Sequence, residues 1–298
     1  MTALQNLLKV TKLNSENFEV DLQKRVNSKL NSYLYSNSQI EEAIKFALST
    51  PGKRVRPTLI YLVGDIYNIP LEKLDSIALA SEIIHTYSLV HDDLPCMDDD
   101  DLRRGQPTLH KKYSEATAVL AGDAMQSLAI QIILEDEKLS NELKVTIVKL
   151  LMESIGYKGM ILGQEQDINF EQKTVSKEEI VQMNYLKTGL LIEFCILAPL
   201  TIANKEKNEW YIIARNVGIA FQLIDDLLDL EESEENLGKA TNKDHSKNKK
   251  NLPLTLGKTE TINEIKKFYD ETMASFSKLS LNNHPLKIYV ENLFNRRS

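Results

Sequence analysis

Residues 71–93, LEKLDSIALASEIIHTYSLVHDD, decide the predicted fold. The stretch contains no Gly or Pro, and apolar side chains recur in it every three or four residues, at Leu74, Ile77, Ala78, Ala80, Ile83, Ile84 and Tyr87. That period is expected of an α-helix with one face in a core. We therefore predict a long helix that ends at a pair of aspartates.

The same helical period extends over most of the chain. It predicts helical stretches at 17–48, 115–136, 141–155 and Trp210–Leu230. Strand signals are weak and do not alternate with the helices, which argues against an α/β fold. The chain has 298 residues with 11 Gly and 8 Pro, a length that suits one large domain or two small ones. We predict one all-α domain over 1–298.

One long stretch lacks a helical period. Residues 231–258 read EESEENLGKATNKDHSKNKKNLPLTLGK and are rich in Glu, Lys and Asn. A loop of this length within a compact domain is either disordered or functional. We predict an irregular segment that acts as a lid and folds its lysines over a bound ligand.

Composition excludes several classes of protein. The 36 Lys and Arg against 43 Asp and Glu give a net charge of −7, which disfavours non-specific nucleic-acid binding. Cys96 and Cys195 have no zinc-site spacing, and a disulfide framework is not expected. Residues 1–18 lack a signal-peptide core, and no apolar run reaches the ~18 residues of a membrane helix. We expect a cytoplasmic protein without stable membrane insertion.

Two aspartate clusters stand out. The first is HDDLPCMD at 91–98, and the second is QLIDDLLD at 222–229. Each is predicted to lie at the C-terminal end of a helix, where the partial negative charge disfavours carboxylates. Like charges at i and i+4 cost a further ~0.2–0.5 kcal/mol. A sequence that accepts these penalties twice favours a bound cation, whereas either cluster alone is also compatible with a solvated helix end.

The ligand types indicate which cation. Carboxylates without Cys or His suit magnesium or manganese. Asp225 and Asp229 are one helical turn apart and share a face, whereas Asp92 and Asp98 do not. Because Pro95 between them ends or distorts a helix, we expect the chain to unwind there and bring Asp98 back toward Asp92.

Basic residues offer counterparts for anions. They lie in GKRVRP at 52–57 and in DLRRG at 101–105. Arg recognises phosphate in a bidentate manner, and Lys acts as a point charge. Neither segment is a Walker loop. Since Arg103 and Arg104 are adjacent, they point to different sides and are able to serve two anions. His85, two turns before Asp92, lies on the face of that aspartate or is a core residue.

Together these segments resemble a known family. GKRVRP, IIHTYSLVHDDLPCMDDDDLRRGQPTLH, LAGDAM, GQEQD, KTG, FQLIDDLLD and LGK occur in this order. The sequence resembles the trans-prenyl diphosphate synthases over about 40–255, with a weaker similarity at Arg296-Arg297. It is most similar to the bacterial-type farnesyl diphosphate synthases, because four residues separate Asp93 from Asp98.

The resemblance implies an all-α bundle of ten or more helices around a central cavity, in a homodimer that joins isopentenyl diphosphate to allylic diphosphates. The isopentenyl diphosphate ligands would be Lys53, Arg56, His85 and Arg104. The magnesium ligands would be Asp92, Asp98, Asp225 and Asp229, supported by Asp93 and Asp226. The contacts to the allylic diphosphate would be Arg103, Lys187, Thr188, Gln222, Lys239 and Lys249.

The resemblance also implies a mechanism. Magnesium with Arg103, Lys187 and Lys239 would neutralise the leaving diphosphate as its C–O bond breaks. The isopentenyl double bond would then attack the allylic cation, and a proton would leave. The residues expected to act in catalysis are Asp92, Asp93, Asp98, Arg103, Lys187, Asp225, Asp226 and Lys239. Tyr87 and Ser88, one turn before Asp92, would form a cavity floor that stops growth at fifteen carbons.

The sequence departs from the family pattern after the second cluster. The family has Lys-x-Thr-Tyr-Pro, whereas this chain has Lys249-Lys250-Asn251-Leu252-Pro253, and Pro51-Gly52 replaces a Gly pair.

A geranylgeranyl diphosphate synthase is the main alternative. A terpene cyclase would carry an Asn/Ser/Glu triad as its second metal motif. A non-catalytic regulatory subunit would have lost carboxylates or basic residues, and every expected one is present.

Overall fold

The computed structural model describes residues 15–34, 38–170, 173–237 and 251–296. The chain folds as two compact units. The first comprises Met1–Val148 and Ala198–Asn204, and the second comprises Lys149–Leu197 and Lys205–Ser298. The single domain over 1–298 therefore stays a prediction.

The described residues are mostly helical, which confirms the all-α prediction and the expectation of ten or more helices. The α-helices are α1 Ser15–Tyr33, α2 Gln39–Ser49, α3 Val55–Ile66, α4 Asp75–Asp92, α5 Leu109–Lys112, α6 Glu115–Leu134, α7 Asn141–Ile155, α8 Met160–Phe170, α9 Lys177–Asn184, α10 Leu190–Ile202, α11 Asn208–Leu237, α12 Leu252–Leu256, α13 Lys258–Lys278 and α14 Pro285–Phe294. A 3₁₀ turn, Leu71–Lys73, precedes α4, and a π-helical turn, Tyr185–Gly189, joins α9 to α10. Strands β1 (Leu102–Arg103) and β2 (Gln106–Pro107) form an antiparallel pair.

In the first unit, α4 packs against α6. Ile77 and Ile84 of α4 are fully buried, as is Ala121 of α6. The contact is close where Gly122 faces His91, because a Cβ on Gly122 would lie only 2.0 Å from His91 Nε2. Small side chains on α6 thus let the C-terminal end of α4, with its aspartates, lie directly on α6.

The N-terminal end of α4 is fixed by charge. Asp75 accepts two hydrogen bonds from Arg25, both of 2.7 Å, and one of 2.7 Å from the Tyr61 hydroxyl. Burial disfavours the ionised form of Asp75, but the hydrogen bonds from Arg25 and Tyr61 outweigh it and lower the pKa of this carboxyl. An aspartate in the first turn also complements the helix dipole. The predicted long helix over 71–93 is confirmed, with its first turn in 3₁₀ form.

The predicted helical stretch over 17–48 is formed by two helices. Helix α1 ends at Tyr33, and α2 begins at Gln39. Ser38 starts the second helix, because its hydroxyl accepts the backbone N–H of Glu41 at 3.2 Å. A serine at the N-cap thus satisfies one of the first-turn backbone N–H groups that have no carbonyl partner within the helix.

In the second unit, α11 packs against α13. Trp210 and Ile213 of α11 and Phe276 of α13 are buried. Gly218 of α11 lies against Gly189, since a Cβ on Gly218 would be 2.5 Å from the Gly189 Cα. This close backbone contact positions the π-helical turn beside α11.

The prediction of an irregular segment over 231–258 is wrong where the structure describes it. Helix α11 continues to Leu237, α12 covers Leu252–Leu256, and α13 begins at Lys258. The glutamates at 231–235 are good helix formers, so a polar run without an apolar period still extends the helix. The remainder of the predicted lid, 238–250, lies outside the described residues, as do Lys239 and Lys249.

Within the described ranges, two helical stretches are long and apolar enough to cross a membrane by length and composition alone. They are Glu115–Leu134 and Lys177–Ile202, with 44% and 61% of their apolar windows buried in the protein. Core helices pass the same test, so these stretches are weak indications of a membrane span.

Candidate active site

The first aspartate cluster follows directly from the end of α4. Asp92 is the last helical residue and Asp93 the C-cap. The chain then turns back, so that the backbone N–H of Asp98 donates to the Asp92 carbonyl at 2.8 Å. Asp99 adopts a positive φ of 52° in this turn. The predicted unwinding that returns Asp98 to Asp92 is confirmed.

Asp93 is tied to the hairpin that follows. It is 4% exposed and accepts hydrogen bonds from Nε and Nη2 of Arg103, the first at 2.9 Å. Arg103 also donates to Asp100 at 3.1 Å. Burial raises the pKa of Asp93, and the hydrogen bonds from Arg103 partly offset that effect. Charge-assisted contacts of this kind hold Arg103 at the aspartate cluster.

The two adjacent arginines diverge because a tight turn separates them. Arg104 and Gly105 both have positive φ, 51° and 75°, as a type I′ hairpin turn requires. Arg103 contacts Asp93, whereas Nη1 of Arg104 donates to the carbonyl of Pro51 at 2.9 Å. The prediction that they point to different sides is confirmed.

Arg104 of this hairpin lies against the loop that carries Lys53, another predicted isopentenyl diphosphate ligand. Arg104 covers Gly52, where a Cβ would lie 2.4 Å from its Nη1. Lys53 is exposed and Arg56 is buried. Burial and then the positive charges of Arg56 and Arg104 lower the pKa of His85 well below its ordinary value. His85 is therefore neutral at pH 7 and lies within the field of these arginines.

Tyr87 and Ser88 lie on α4 before the aspartates. Tyr87 is 4% exposed, and its ring packs edge-to-face on His91 with the centroids 5.7 Å apart. Burial, with the nearby charge of Asp92, raises the pKa of Tyr87 to about 12. Ser88 Oγ donates to the His85 carbonyl at 2.9 Å. Their role as a cavity floor stays a prediction.

The second aspartate cluster does not end its helix. Asp225, Asp226 and Asp229 lie within α11, which continues to Leu237. The predicted location is wrong, and the C-terminal dipole penalty does not act on this cluster. The mutual repulsion of Asp225 and Asp229, one turn apart, remains.

Within this cluster, Asp226 is the carboxyl whose pKa is changed by burial and by neighbouring charges. It is 8% exposed, and its Oδ1 accepts Nε2 of Gln222 at 2.9 Å. Among the described residues, none provides a hydrogen-bond partner for its buried Oδ2. Burial, followed by the charges of Asp225, Asp229 and Asp167, raises the pKa of Asp226 to about 7, although Gln222 opposes this. A cation among these carboxylates would relieve both the burial and the repulsion.

Lys187 and Thr188 lie in the π-helical turn. Lys187 Nζ donates to Asp167 Oδ2 at 2.6 Å, and Thr188 Oγ1 donates to Gln222 Oε1 at 2.9 Å. Thr188, Gln222 and Asp226 thus form one chain of hydrogen bonds. The turn lies close to α8, because a Cβ on Gly163 would be 2.3 Å from the Lys187 backbone N. π-Helical turns are frequent at functional sites.

The C-terminal Arg296 reaches the second cluster. Its Nη2 lies 2.7 Å from Asp225 Oδ1, and its guanidinium stacks over the Phe221 ring at 3.8 Å from the centroid. Arg296 also donates to the Phe221 carbonyl. The cation–π contact and the ion pair together place a positive charge on the first carboxylate of this cluster.

Carboxylates alone do not enclose a metal. Across the described ranges, no three His, Cys, Asp or Glu side chains converge closely enough to hold an ion.

Sequence reasoning found most of these residues and missed several. In the first unit it missed Arg54 and Glu82, a buried ion pair with a 2.6 Å contact. In the second it assigned no role to Asp167, which binds Lys187. The GQEQD segment was the available signal for Asp167. No signal marks Glu82, which reads as a polar residue of an amphipathic helix. Both cysteines are free thiols.

The fold and these motifs define a class of protein. The polyprenyl synthetase family model matches residues 37–280, so the chain belongs to this family. This match confirms the resemblance on which the site predictions depend.

Individual proteins of this family are similar to the chain in sequence and in structure. The farnesyl diphosphate synthase of Haemophilus influenzae is 36% identical over 275 residues, which cover 88% of this chain and 93% of that protein. The Micrococcus luteus farnesyl diphosphate synthase is 38% identical over 272 residues, covering 90% and 93%. The crystal structure of a geranyltransferase from Legionella pneumophila has a TM-score of 0.82 at 32% identity, covering 95% of this chain and 97% of that chain. These similarities confirm the predicted enzyme class.

Proposed function

We propose that this chain condenses isopentenyl diphosphate with dimethylallyl and then geranyl diphosphate to give farnesyl diphosphate. The 36–38% identity to bacterial farnesyl diphosphate synthases supports this reaction. The observation that carries the proposal is the aspartate cluster of α11, in which Asp226 is 8% exposed and its buried Oδ2 has no hydrogen-bond partner among the described residues. Such a cluster is suited to a cation that binds together with an anionic substrate.

The donor set fits a hard divalent cation. The two aspartate clusters offer carboxylate oxygens, and in the described part of the chain Asp226 Oδ2 is buried without a hydrogen-bond partner. Magnesium is the proposed metal, with manganese as a substitute, because both prefer oxygen ligands. Asp225 and Asp229 are the proposed metal ligands in the second unit. Asp92 and Asp98 are the proposed metal ligands in the first unit. When bound, the metal neutralises diphosphate charge as the C–O bond breaks.

The basic residues divide by their contacts. Lys53, Arg56, His85 and Arg104 are the proposed ligands of isopentenyl diphosphate. The proposed ligands of the allylic diphosphate are Arg103, Lys187, Thr188 and Gln222, together with Lys239 and Lys249, which lie outside the described residues. The separate contacts of Arg103 and Arg104 support two diphosphate subsites. Neutral His85 would donate one hydrogen bond without adding charge.

The chemistry then follows from these contacts. Arg103 and Lys187 donate to the departing diphosphate and stabilise its charge in the transition state. Lys53, Arg56 and Arg104 hold the second diphosphate, so the isopentenyl double bond attacks the allylic cation without a bimolecular search. The new C–C bond leaves a tertiary cation, and the released diphosphate accepts the proton that forms the product double bond. No protein nucleophile takes part.

Product length is proposed to be set by Tyr87 with Ser88. The buried Tyr87 ring is held in place by its edge-to-face contact with His91. A fixed aromatic ring beside a small serine would admit a fifteen-carbon chain and block a longer one. A geranylgeranyl diphosphate synthase is less well supported, because the bacterial relatives compared above are farnesyl diphosphate synthases.

Three further features are part of the proposal. The family match over 37–280 spans both compact units and supports a single polyprenyl synthase domain around a central cavity. A homodimer is supported by the exposed apolar residues Val119, Leu120 and Leu134 on α6. A cytoplasmic location is supported by the acidic composition. Sedimentation velocity tests the dimer, since a monomer at micromolar concentration would contradict it.

Diphosphate release tests the proposed reaction. With geranyl diphosphate, isopentenyl diphosphate and Mg²⁺, one inorganic diphosphate should appear per isopentenyl unit consumed. Asp92→Asn and Asp225→Asn should each lower the rate by at least about 100-fold, in the range seen for removing charge stabilisation. Asp21→Asn, at an exposed aspartate of α1, is the matched control and should keep the rate. Equal rates in all four proteins would refute the roles of the clusters.

A further inference from the structure

Arg54 stands between two proposed diphosphate ligands but faces inward. Lys53 is exposed, whereas the Arg54 side chain is only 4% exposed. Arg54 adopts φ 50° and ψ 41°, the left-handed conformation, as the N-cap of α3. Residues other than Gly rarely adopt this conformation, because their Cβ then approaches the carbonyl oxygen. Some interaction therefore holds this backbone in place.

The guanidinium of Arg54 supplies that interaction through contacts to three other segments. Nη1 donates to Glu82 Oε1 at 2.6 Å, and Nε donates to Asn27 Oδ1 at 3.0 Å. Nη2 donates to the carbonyls of Leu48 and Thr50 at 2.8 and 3.3 Å. Leu48 lies in the last turn of α2, where carbonyls lack helical partners and a positive charge is favourable. One side chain thus joins α1, α2 and α4 to the loop 51–54.

Glu82 connects this interaction to the site. It is 3% exposed and lies one turn before His85 on α4. A buried glutamate among arginines compensates charges that would otherwise repel one another. Arg54, Arg103 and Arg104 also line one cavity of about 40 Å³, with Asp93 in its wall. Arg54 therefore borders Arg103 and Arg104, two of the proposed diphosphate ligands, and is not a remote element of the core.

Other contacts hold the same loop from outside. Arg104 donates to the Pro51 carbonyl at 2.9 Å, and Gln23 donates to the Lys53 carbonyl at 3.0 Å. With Arg54 anchored inside, the loop 51–54 has its backbone fixed on both faces. The consequence is one defined arrangement in which Lys53 lies outside the fold and Arg56 lies in the first turn of α3.

We propose that Arg54, through its buried contact with Glu82, is a positioning residue that presents Lys53 and Arg56 to the diphosphate of the homoallylic substrate. This inference rests on the proposed function, and it assigns to Arg54 no contact with substrate. A lysine at this position would keep the charge but lose the planar fork that reaches Glu82, Asn27 and Leu48 together.

Steady-state kinetics of Arg54→Lys tests the inference. The KM for isopentenyl diphosphate should rise about tenfold or more, since displacement of binding groups by about 1 Å has effects of this order. The KM for geranyl diphosphate and the kcat at saturation should stay within about twofold. Glu82→Gln, which keeps an acceptor but removes the charge, should shift the same KM in the same direction by a smaller factor, and it decides the question if Arg54→Lys does not fold.

Arg25→Lys is the matched control. Arg25 makes a forked contact with Asp75 at the other end of α4 and has no proposed part in the reaction. It should lower the melting temperature without changing either KM. Arg54→Lys and Glu82→Gln variants that only lower the melting temperature, or that raise both KM values equally, would overturn the inference. Wild-type protein that releases no diphosphate would instead refute the proposed function, so the two failures are distinguishable.

Discussion

The most informative perturbation is Asp226→Asn, measured without metal. The amide has the shape of the carboxyl and keeps the Oδ1 acceptor for Gln222, but it cannot ionise. In the wild type, the folded protein holds the Asp226 proton up to a pH of about 7, whereas the unfolded chain releases it near 3.8. The variant isolates the cost of ionising this buried carboxyl.

The sign and the size follow from proton linkage. Between pH 3.8 and about 7, the folded wild type binds a proton that the unfolded chain has released, so its stability falls as the pH rises. Each pH unit costs about 1.4 kcal/mol. From pH 5 to pH 8 only the interval up to about 7 contributes, which gives about 3 kcal/mol. The variant does not experience this loss.

Urea unfolding in EDTA at pH 5 and pH 8 measures the effect. The free energy of unfolding of Asp226→Asn minus that of the wild type should increase by about 3 kcal/mol between the two pH values. Asp21→Asn, at an exposed position on α1, should show no such increase. Mg²⁺ at pH 8 should stabilise the wild type more than the variant. An identical difference at both pH values would refute the electrostatic account of the second cluster.

Three further predictions concern single residues. Tyr87→Ala should lengthen the product beyond fifteen carbons, whereas Tyr87→Phe should not. If chromatography shows an unchanged product for the Ala variant, the role of Tyr87 as a cavity floor is refuted. Because the pKa of His85 is lowered on folding, the free energy of unfolding of the wild type should fall as the pH drops below about 6.5. In urea unfolding, His85→Gln should lose less of this free energy between pH 7.5 and 5.5, and equal losses would contradict this account. Arg296→Ala removes the Asp225 ion pair and the Phe221 contact. The free energy of unfolding without metal should therefore fall by ~1–2 kcal/mol, while the Mg²⁺-induced rise in melting temperature should become larger. An unchanged Mg²⁺ effect would argue against competition at Asp225.

Local patterns determine the parts of the fold that sequence reasoning predicts well. The apolar period of α4 fixes its helix and its buried face, because Ile77 and Ile84 must reach a core. Pro95 and the four-residue gap predict the turn that returns Asp98 to Asp92. These features depend only on residues close in sequence, so the chain alone shows them.

Contacts between distant segments were not predictable. The π-helical turn at Tyr185–Gly189 depends on the close approach of Gly163 to the Lys187 backbone, more than twenty residues away. Glu82 reads as a polar surface residue, yet it is buried because Arg54 pairs with it. Adjacent basic residues such as Lys53 and Arg54 have no pattern that shows which faces inward. The left-handed backbone of Arg54 and the contact of its guanidinium with Glu82 together turn this side chain inward.

The second cluster shows where local reasoning failed. The acidic residues after Asp229 lack an apolar period and therefore predict the start of a loop, but α11 continues to Leu237. Glutamate favours helices even without apolar neighbours. The prediction of a cation site does not depend on this error, because the repulsion between Asp225 and Asp229 and the burial of Asp226 act within the helix.

Product chain length from geranyl diphosphate and labelled isopentenyl diphosphate tests the central claim most directly. The account predicts one dominant fifteen-carbon diphosphate in Mg²⁺ and no product in EDTA. A dominant twenty-carbon product would contradict the proposed floor at Tyr87 and the farnesyl assignment. No product from folded protein with either allylic primer would contradict the catalytic account as a whole.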